Sequence, residues 1–250
     1  MIAAINYLDR LARATEIEQV WQMFCAEMVR FGFDRLLYGY NHFGTEHSVG
    51  SWEDALILSN NDPGYLKKFI EEEYYKHAPL AEWALKNTGA RPWAGKGDPS
   101  LELNETQARV VALNTSYGLV AGYSVSFATP TPRARGIVSM GARPGLTQQD
   151  VNALWERDGV LISVIANMTH LKIISLPHTN ERAKLSRRQQ EVLNWVADGK
   201  TYQDIATIMG VTMGTVEKHL RLVRQKLNVE TTPQAVLKAS FWNQMFVVKM

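Results

Sequence analysis

Cysteine is almost absent from this sequence: Cys25 stands alone among 250 residues. A single thiol excludes an internal disulfide framework and fits a reducing compartment, so a cytoplasmic protein is expected. Long apolar runs are missing too. No stretch of about 18 uncharged apolar residues occurs, which excludes a membrane-spanning helix and leaves no membrane partner to expect. The first segment, MIAAINYLDRLARATEIEQVW, gains charge too early for a secretory signal. There is no internal repeat and no low-complexity tract. The six histidines (42, 47, 77, 170, 178 and 219) show no zinc-ligand spacing. No Gly-x-Ser-x-Gly elbow is present. Lys96 lies between two glycines in ARPWAGKGDPS, yet the spacing of a phosphate-binding loop is lacking. No catalytic residue, metal ligand or cofactor is therefore predicted, and an enzyme is not expected.

What is present is a core's worth of apolar residues, 46% of the chain, and an uneven charge. From Arg182 to Met250 there are eleven Lys or Arg against five Asp or Glu. That is a net +6 in a chain whose total is +2, so the preceding residues carry −4. Basic charge concentrated in one small segment is the footprint of a phosphate-binding surface.

The same segment reads as helices. Thr201 can cap a helix to about Met209, with Asp204 as the capping-box partner and Ile205, Ala206 and Met209 on an apolar face. Gly210 ends it. Thr212 caps the next, which carries Val216, Leu220, Val223 and Leu227 on one stripe. Two short helices about a glycine turn make a helix-turn-helix. A further capped helix is expected from Pro233, with Val236, Leu237, Ser240 and Phe241 on one face.

The N-terminal part mixes both periodicities. Helices are expected to Arg30, over 63–76, 79–87 and 104–117, and from Thr147 to Leu171, the last with Val151, Leu154, Leu161, Ile165 and Met168 near one face. Cys25 falls in the apolar pattern of Ile17, Val20, Trp21, Phe24 and Met28 and is expected to be buried. Strands are expected at 35–41, 55–59, 121–128 and 136–142, with a polar turn at 44–54 and a loop at 90–100. The fold class is α+β: an α/β/α sandwich around an antiparallel sheet, then an all-α four-helix helix-turn-helix domain. The boundaries expected are 1–173, a linker at 174–183, and 184–250.

The segment LSRRQQEVLNWVADGKTYQDIATIMGVTMGTVEKHLRLVRQKLNV resembles the C-terminal DNA-binding domain of the LuxR family of bacterial regulators. Gly199-Lys200-Thr201, Ile205-Ala206, Thr215-Val216, His219 and Lys226-Leu227 stand where that pattern has them, while Gln189 and Asp204 replace glutamates. The resemblance implies a homodimer on an inverted-repeat site in double-stranded DNA, with RNA polymerase as a further partner. Lys218 and Arg221 are the candidates for base contacts, with Thr212 and Thr215 near the first turn; Lys200, Thr201 and Arg224 are candidates for phosphate. Glu217 stands where relatives often carry a basic residue, and a carboxylate can accept from cytosine N4.

Residues 1–170 more loosely resemble the family's autoinducer-binding domain, which holds N-acyl homoserine lactones between an antiparallel sheet and helices. Phe33 to Tyr40, Ala90-Arg91-Pro92-Trp93, Tyr117-Gly118-Leu119-x-x-Gly122-x-Ser124 and Gly136-Ile137-Val138-Ser139 carry that resemblance. It implies a ligand site among Tyr38, Tyr40, Tyr65, Phe69, Ala78, Trp93, Ser124 and Ser139. The polar grip departs from the family. Asp62-Pro63 replaces Tyr-Pro, Phe69 replaces a tyrosine, and Ala78-Pro79 replaces an Asp-Pro whose carboxylate accepts the ligand amide N–H. An alanine side chain accepts nothing, and an unpaired buried amide costs on the order of 1–3 kcal/mol. Three readings stay open: a lactone held by Tyr65, Trp93, Ser124 or Ser139; a different, less polar molecule; or a site filled by its own side chains. A phosphorylation-driven response regulator shares this DNA-binding domain, but its receiver begins with a strand and paired acidic residues, whereas this chain begins with two helical patterns.

Overall fold

The computed structural model describes residues 2–45, 47–93, 103–129, 131, 133–178 and 183–245. It divides into two compact units, Met1–Ile173 and Ile174–Met250.

In the first unit, α1 (Ile2–Arg13) and α2 (Ile17–Arg30) precede strands β1 (Phe33–Asn41) and β2 (Leu56–Ser59). Helices α3 (Pro63–Glu71) and α4 (Pro79–Lys86) lead to β3 (Gly89–Pro92), and α5 (Glu105–Ser116) leads to β4 (Gly122–Ser126) and β5 (Arg135–Ala142). The helix α6 (Gln148–Ser175) follows. The sheet order is β2-β1-β5-β4-β3, and every pairing is antiparallel. Strand side chains alternate between faces. One face presents Tyr38, Val138 and Tyr123 to α1, α2 and α6: the Tyr38 ring lies 6.5 Å from Trp21, Tyr123 stacks on Trp155 at 4.0 Å, and Tyr7 Oη meets Thr169 Oγ1 at 2.5 Å. The other face presents Leu37, Ser139 and Ser124, in register across β1, β5 and β4, towards α3, α4 and α5.

Five local expectations differ from this. The expected loop at 90–100 begins as strand β3, with Ala90, Arg91 and Pro92 opposite Val125, Ser124 and Tyr123. A proline is tolerated there because β3 is an edge strand, where the missing N–H has no partner to lose. The remainder of that loop, 94–100, lies outside the described residues. Helix α3 stops at Glu71, with Glu73 left-handed at φ 55° before a short 3₁₀ turn at Tyr74–Lys76. Three successive carboxylates, Glu71 to Glu73, oppose the negative end of the helix dipole. The expected turn at 44–54 contains a Thr45–Ser48 bridge and a 3₁₀ turn at Trp52–Asp54. On α6, Met168 is exposed and Leu154 and Leu161 are half-buried; the inward face is Val151, Ile162, Ile165, Ala166, Thr169, His170 and Ile173. Two polar residues go inside because Thr169 meets Tyr7 and His170 Nδ1 meets Tyr38 Oη at 2.8 Å. Cys25 is half-buried rather than buried, and desolvation pushes its thiol up to about 12, so it stays protonated.

The second unit holds α7 (Arg187–Ala197), α8 (Tyr202–Met209), α9 (Met213–Leu227) and α10 (Thr232–Phe241) around Val192, Leu193, Ile205, Val216, Leu220, Val223 and Leu227. Each helix start is capped by a side chain, from Ser186, Thr201, Thr212 and Thr231. Gln189 completes the box at α7 by accepting from Ser186 N–H at 2.8 Å, the hydrogen bond a glutamate would make without the charge. Gly210 and Asn228 end α8 and α9 in the left-handed region, at φ 64° and 50°. On α10 the face expected from Val236 to Phe241 is the outer one. Ala235, Lys238, Ala239 and Trp242 are buried, while Val236 is half-buried and Leu237, Ser240 and Phe241 are exposed. Lys238 folds its ammonium over the Trp242 ring at 4.9 Å, so a lysine can occupy the inner face. The expected linker at 174–183 is not a free spacer where it is described. Helix α6 continues to Ser175, Asn243 Nδ2 donates to the carbonyls of Ile174 (2.8 Å) and Leu176 (3.1 Å), and His178 N–H donates to Trp242 O at 2.8 Å. The apolar end expected to pack at 246–250 lies outside the described residues.

Candidate ligand cavity and DNA-reading helix

The face of the sheet that carries Leu37, Ser139 and Ser124 encloses a cavity of about 290 Å³ with helices α3, α4 and α5. It is not filled by its own side chains. Of the eight predicted ligand residues, Tyr38, Tyr40, Tyr65, Phe69, Ala78, Trp93 and Ser139 reach its wall, and Ser124 stands just behind. Their roles separate sharply.

Trp93 follows β3 and lies across β4. Its N–H donates to Gly122 O at 2.9 Å, and the indole rests on Gly122 and Gly141. A Cβ on Gly122 would sit 2.8 Å from the indole carbons, so glycine is required for this close approach. The indole Nε1 donates to Ser124 Oγ at 3.0 Å, and Ser124 Oγ meets Ser139 Oγ at 2.8 Å. If Ser124 passes its own proton to Ser139, the Ser139 O–H is left to donate into the cavity. Ser124 is thus a relay buried in the sheet, not a contact.

Tyr65 and Phe69 stack at 5.5 Å in one cluster with Val110, Leu119 and Ala78. Tyr65 Oη donates to Asn114 Oδ1 at 3.0 Å, and burial raises its pKa. Ala78 is an apolar wall with no acceptor. Tyr38 and Tyr40 correct the sequence reading. Their hydroxyls belong to the opposite face of the sheet, bonded to His170 (2.8 Å) and His42 (3.4 Å). Between them, Gly39 leaves open space towards the cavity. The period-2 parity of β1 assigns the cavity side to Leu37 and Gly39.

Two cavity-lining polar atoms escaped the sequence reading: Asn61 Oδ1 and Arg135 Nε are buried and without a hydrogen-bond partner. No spacing or motif marks either residue. Desolvation holds His170, between Tyr38 and Phe127, down to about 4, so its ring is neutral.

In the second unit, the buried stripe of α9 leaves Glu217, Lys218 and Arg221 exposed on its outer side, with no ion pair among the described residues. Lys200 and Thr201 are exposed at the start of α8. The Thr201 hydroxyl is engaged with Asp204 at 2.6 Å, and Thr212 and Thr215 bond each other at 2.9 Å. Arg224 is half-buried and donates to Thr232 at 3.0 Å, which ties the end of α9 to the start of α10. The free positive side chains on the helix-turn-helix are therefore Lys200, Lys218 and Arg221, fewer than the sequence reading assigned.

Residues 16–173 match the family described as Autoinducer binding domain, and residues 183–239 match Bacterial regulatory proteins, luxR family. The chain belongs to the LuxR family. Over 217 residues it is 26% identical to the transcriptional activator protein AnoR of Acinetobacter nosocomialis, covering 85% of this chain and 88% of AnoR. It is 32% identical over 186 residues to the quorum sensing-dependent transcriptional regulator RpaR of Rhodopseudomonas palustris, covering 74% and 73%. Among solved structures, SdiA in complex with octanoyl-rac-glycerol aligns with TM-score 0.54 and 18% identity over 95% of this chain and 93% of SdiA. CepR2 of Burkholderia cenocepacia, an N-acylhomoserine lactone dependent factor, aligns with TM-score 0.53 and 14% identity over 69% of this chain and 94% of CepR2. These likenesses show the fold. This LuxR-family chain is thus a DNA-binding transcriptional regulator with an autoinducer-binding domain. Among the described residues no helix is long and apolar enough to cross a membrane.

Proposed function

We propose that this regulator works as a cytoplasmic homodimer whose DNA binding, and through it recruitment of RNA polymerase, is set by a small amphipathic molecule in the cavity. The observation that carries the reading is the Trp93–Ser124–Ser139 chain ending in open space, with Tyr65 and Phe69 alongside. A carbonyl-bearing ligand fits a serine hydroxyl donor. The side chain of Ala78 offers no acceptor for an amide N–H, so the ordinary lactone grip is weakened, and a ligand without that N–H loses nothing there. The chemistries named for its structural neighbours span this range: an N-acylhomoserine lactone for CepR2 and an acylglycerol for SdiA. Dimerisation is supported by Leu237 and Phe241, exposed one turn apart on α10. Recognition of an inverted repeat rests on the outer face of α9, with Lys218 and Arg221 towards base edges and Lys200 towards phosphate.

A ligand controls DNA binding only by its difference in affinity for the two states. The test is to extract the purified full chain with organic solvent, identify the released molecule by mass spectrometry, and measure DNA binding before and after adding it back. A released acyl compound that restores DNA affinity supports the reading. Full DNA affinity in stripped protein, unchanged by the extract, would overturn it.

A further inference from the structure

The cavity has two polar ends, and only one of them is where the sequence led. Trp93 sits at the level of Gly122 and Gly141 on β4 and β5, and Ser139 lies two residues along β5, level with Ser124. Arg135 opens β5 at the other end, paired with Asn41, six residues from Gly141 and so about 20 Å along the strand. Between them the wall is mostly apolar: Ile57, Ile137, Leu66 and Ile70.

Three arginines line this cavity, and among its described lining residues there is no Asp or Glu. Two of the three are engaged by the protein. Arg35 donates to the carbonyls of Gly118 (2.8 Å) and Ala142 and pairs with Asp34 at 3.1 Å. Arg91 lies over the Trp83 ring at 5.8 Å. Arg135 differs. One terminal nitrogen donates to Ala134 O at 2.7 Å, while Nε is buried with no partner among the described residues. The polar groups around it are already used: Asn41 Nδ2 donates to Ser51 O at 2.9 Å, and Asn41 Oδ1 accepts from Phe43 N–H at 2.8 Å. His170, near Gly136, is held neutral and brings no counter-charge.

A guanidinium presents a planar fork of donors that matches a carboxylate, and a half-buried one with an open Nε lacks its natural counter-ion. We infer that the cavity takes a carboxylate-bearing amphiphile, with Arg135 anchoring the carboxylate and the apolar body running towards Trp93. This rests on the reading of the cavity as a ligand site and names the chemistry of its occupant. It also accounts for Ala78: a ligand held by its carboxylate at the far end needs no acceptor for an amide N–H.

The experiment uses the full chain stripped of bound molecules and titrated with dodecanoate and with methyl dodecanoate, followed by tryptophan fluorescence and thermal shift. Wild type is expected to bind the acid about tenfold or more tightly than the ester. In Arg135→Gln that preference disappears, with ester binding unchanged, and Arg135→Lys restores part of it. Equal binding of acid and ester by wild type overturns the inference, and this arm does not depend on any variant folding. A preference that survives in Arg135→Gln overturns it too. Ester binding equal to the acid and weakened by Ser139→Ala leaves the cavity as a ligand site while removing Arg135 from it. Binding of neither probe by protein whose extract contains no small molecule removes both.

Discussion

The two units lean on their polar side chains differently, although Asn104 caps α5 locally in the ligand unit and Gln244 reaches Leu185 across the DNA-binding unit. In the DNA-binding unit the caps are local: Ser186 with Gln189, Thr201 with Asp204, Thr212 with Thr215 and Thr231 with Gln234 all join residues three apart. In the ligand unit the bonds cross the chain: Tyr7 with Thr169, Tyr38 with His170, Tyr65 with Asn114, and Trp93 with Ser124 and Ser139. Local bonds say where a helix begins, and they survive whatever the helix packs against. Distant bonds hold layers together, so their partners exist only once the fold does. The DNA-binding unit is suited to a fixed shape. The ligand unit is suited to respond when something enters between its layers.

The largest expected effect probes the unit built on local bonds. Its caps set helix ends, yet its stability comes from one apolar stripe, of which Leu220 is buried at the centre. Leu220→Ala should cost about 2–5 kcal/mol. Hydrogen exchange measured on the full chain should show the loss across peptides of α7 to α10. Unchanged protection there would mean that the caps alone hold the unit, and the comparison as drawn would fail.

The next effect belongs to the unit built on distant bonds. His170 is held at about 4, against an ordinary 6.5, by desolvation between Tyr38 and Phe127. Between those values the unfolded chain takes up a proton that the folded chain does not. This contribution to stability is therefore full above 6.5 and is lost as the pH falls towards about 4, by roughly 3 kcal/mol in all. Acid should loosen α6 and the sheet, read as faster exchange around residues 36–40 and 162–173. His170→Phe should remove that pH dependence. A pH profile identical in the variant would place the acid sensitivity elsewhere.

The same contrast explains what the sequence could show. The helix-turn-helix was legible because its signals lie within a few residues of each other: a threonine, a partner three on, an apolar stripe, a glycine at φ 64°. Even there the inner face of α10 carried no signal, because Lys238 is buried by laying its stem along Trp242, a contact that periodicity of apolar residues cannot register. The order of helices and strands in the ligand unit was legible too. The cavity was only partly so. Trp93, Tyr65, Phe69, Ala78 and Ser139 came from family resemblance and reach it. Tyr38 and Tyr40 spend their hydroxyls on the other face, since strand parity, not aromatic character, decides where a side chain points. Asn61 and Arg135 carried no local signal, because an unpaired atom is defined by what the folded neighbours fail to supply.

The smallest effect tests the DNA-reading surface, where a hydroxyl used for capping must be told apart from a charge left free. Arg221 is exposed and unpaired among the described residues, on the side of α9 away from its buried stripe. Arg221→Ala should weaken specific DNA binding by about 1–3 kcal/mol and relax preference at one position of the half-site. Lys200→Ala should weaken binding to all sequences alike and reduce the salt dependence by roughly one phosphate contact. Thr201→Ala belongs to the structural side of the comparison. Its hydroxyl accepts from Asp204 N–H at 3.2 Å and meets the Asp204 carboxylate at 2.6 Å, so its removal should destabilise α8 by about 0.5–2 kcal/mol and leave the salt slope unchanged. Binding-site selection with each variant over a range of salt separates the three. If Arg221→Ala selects the same sequences as wild type, base reading moves to Lys218 and Glu217, and Arg221 acts through charge alone.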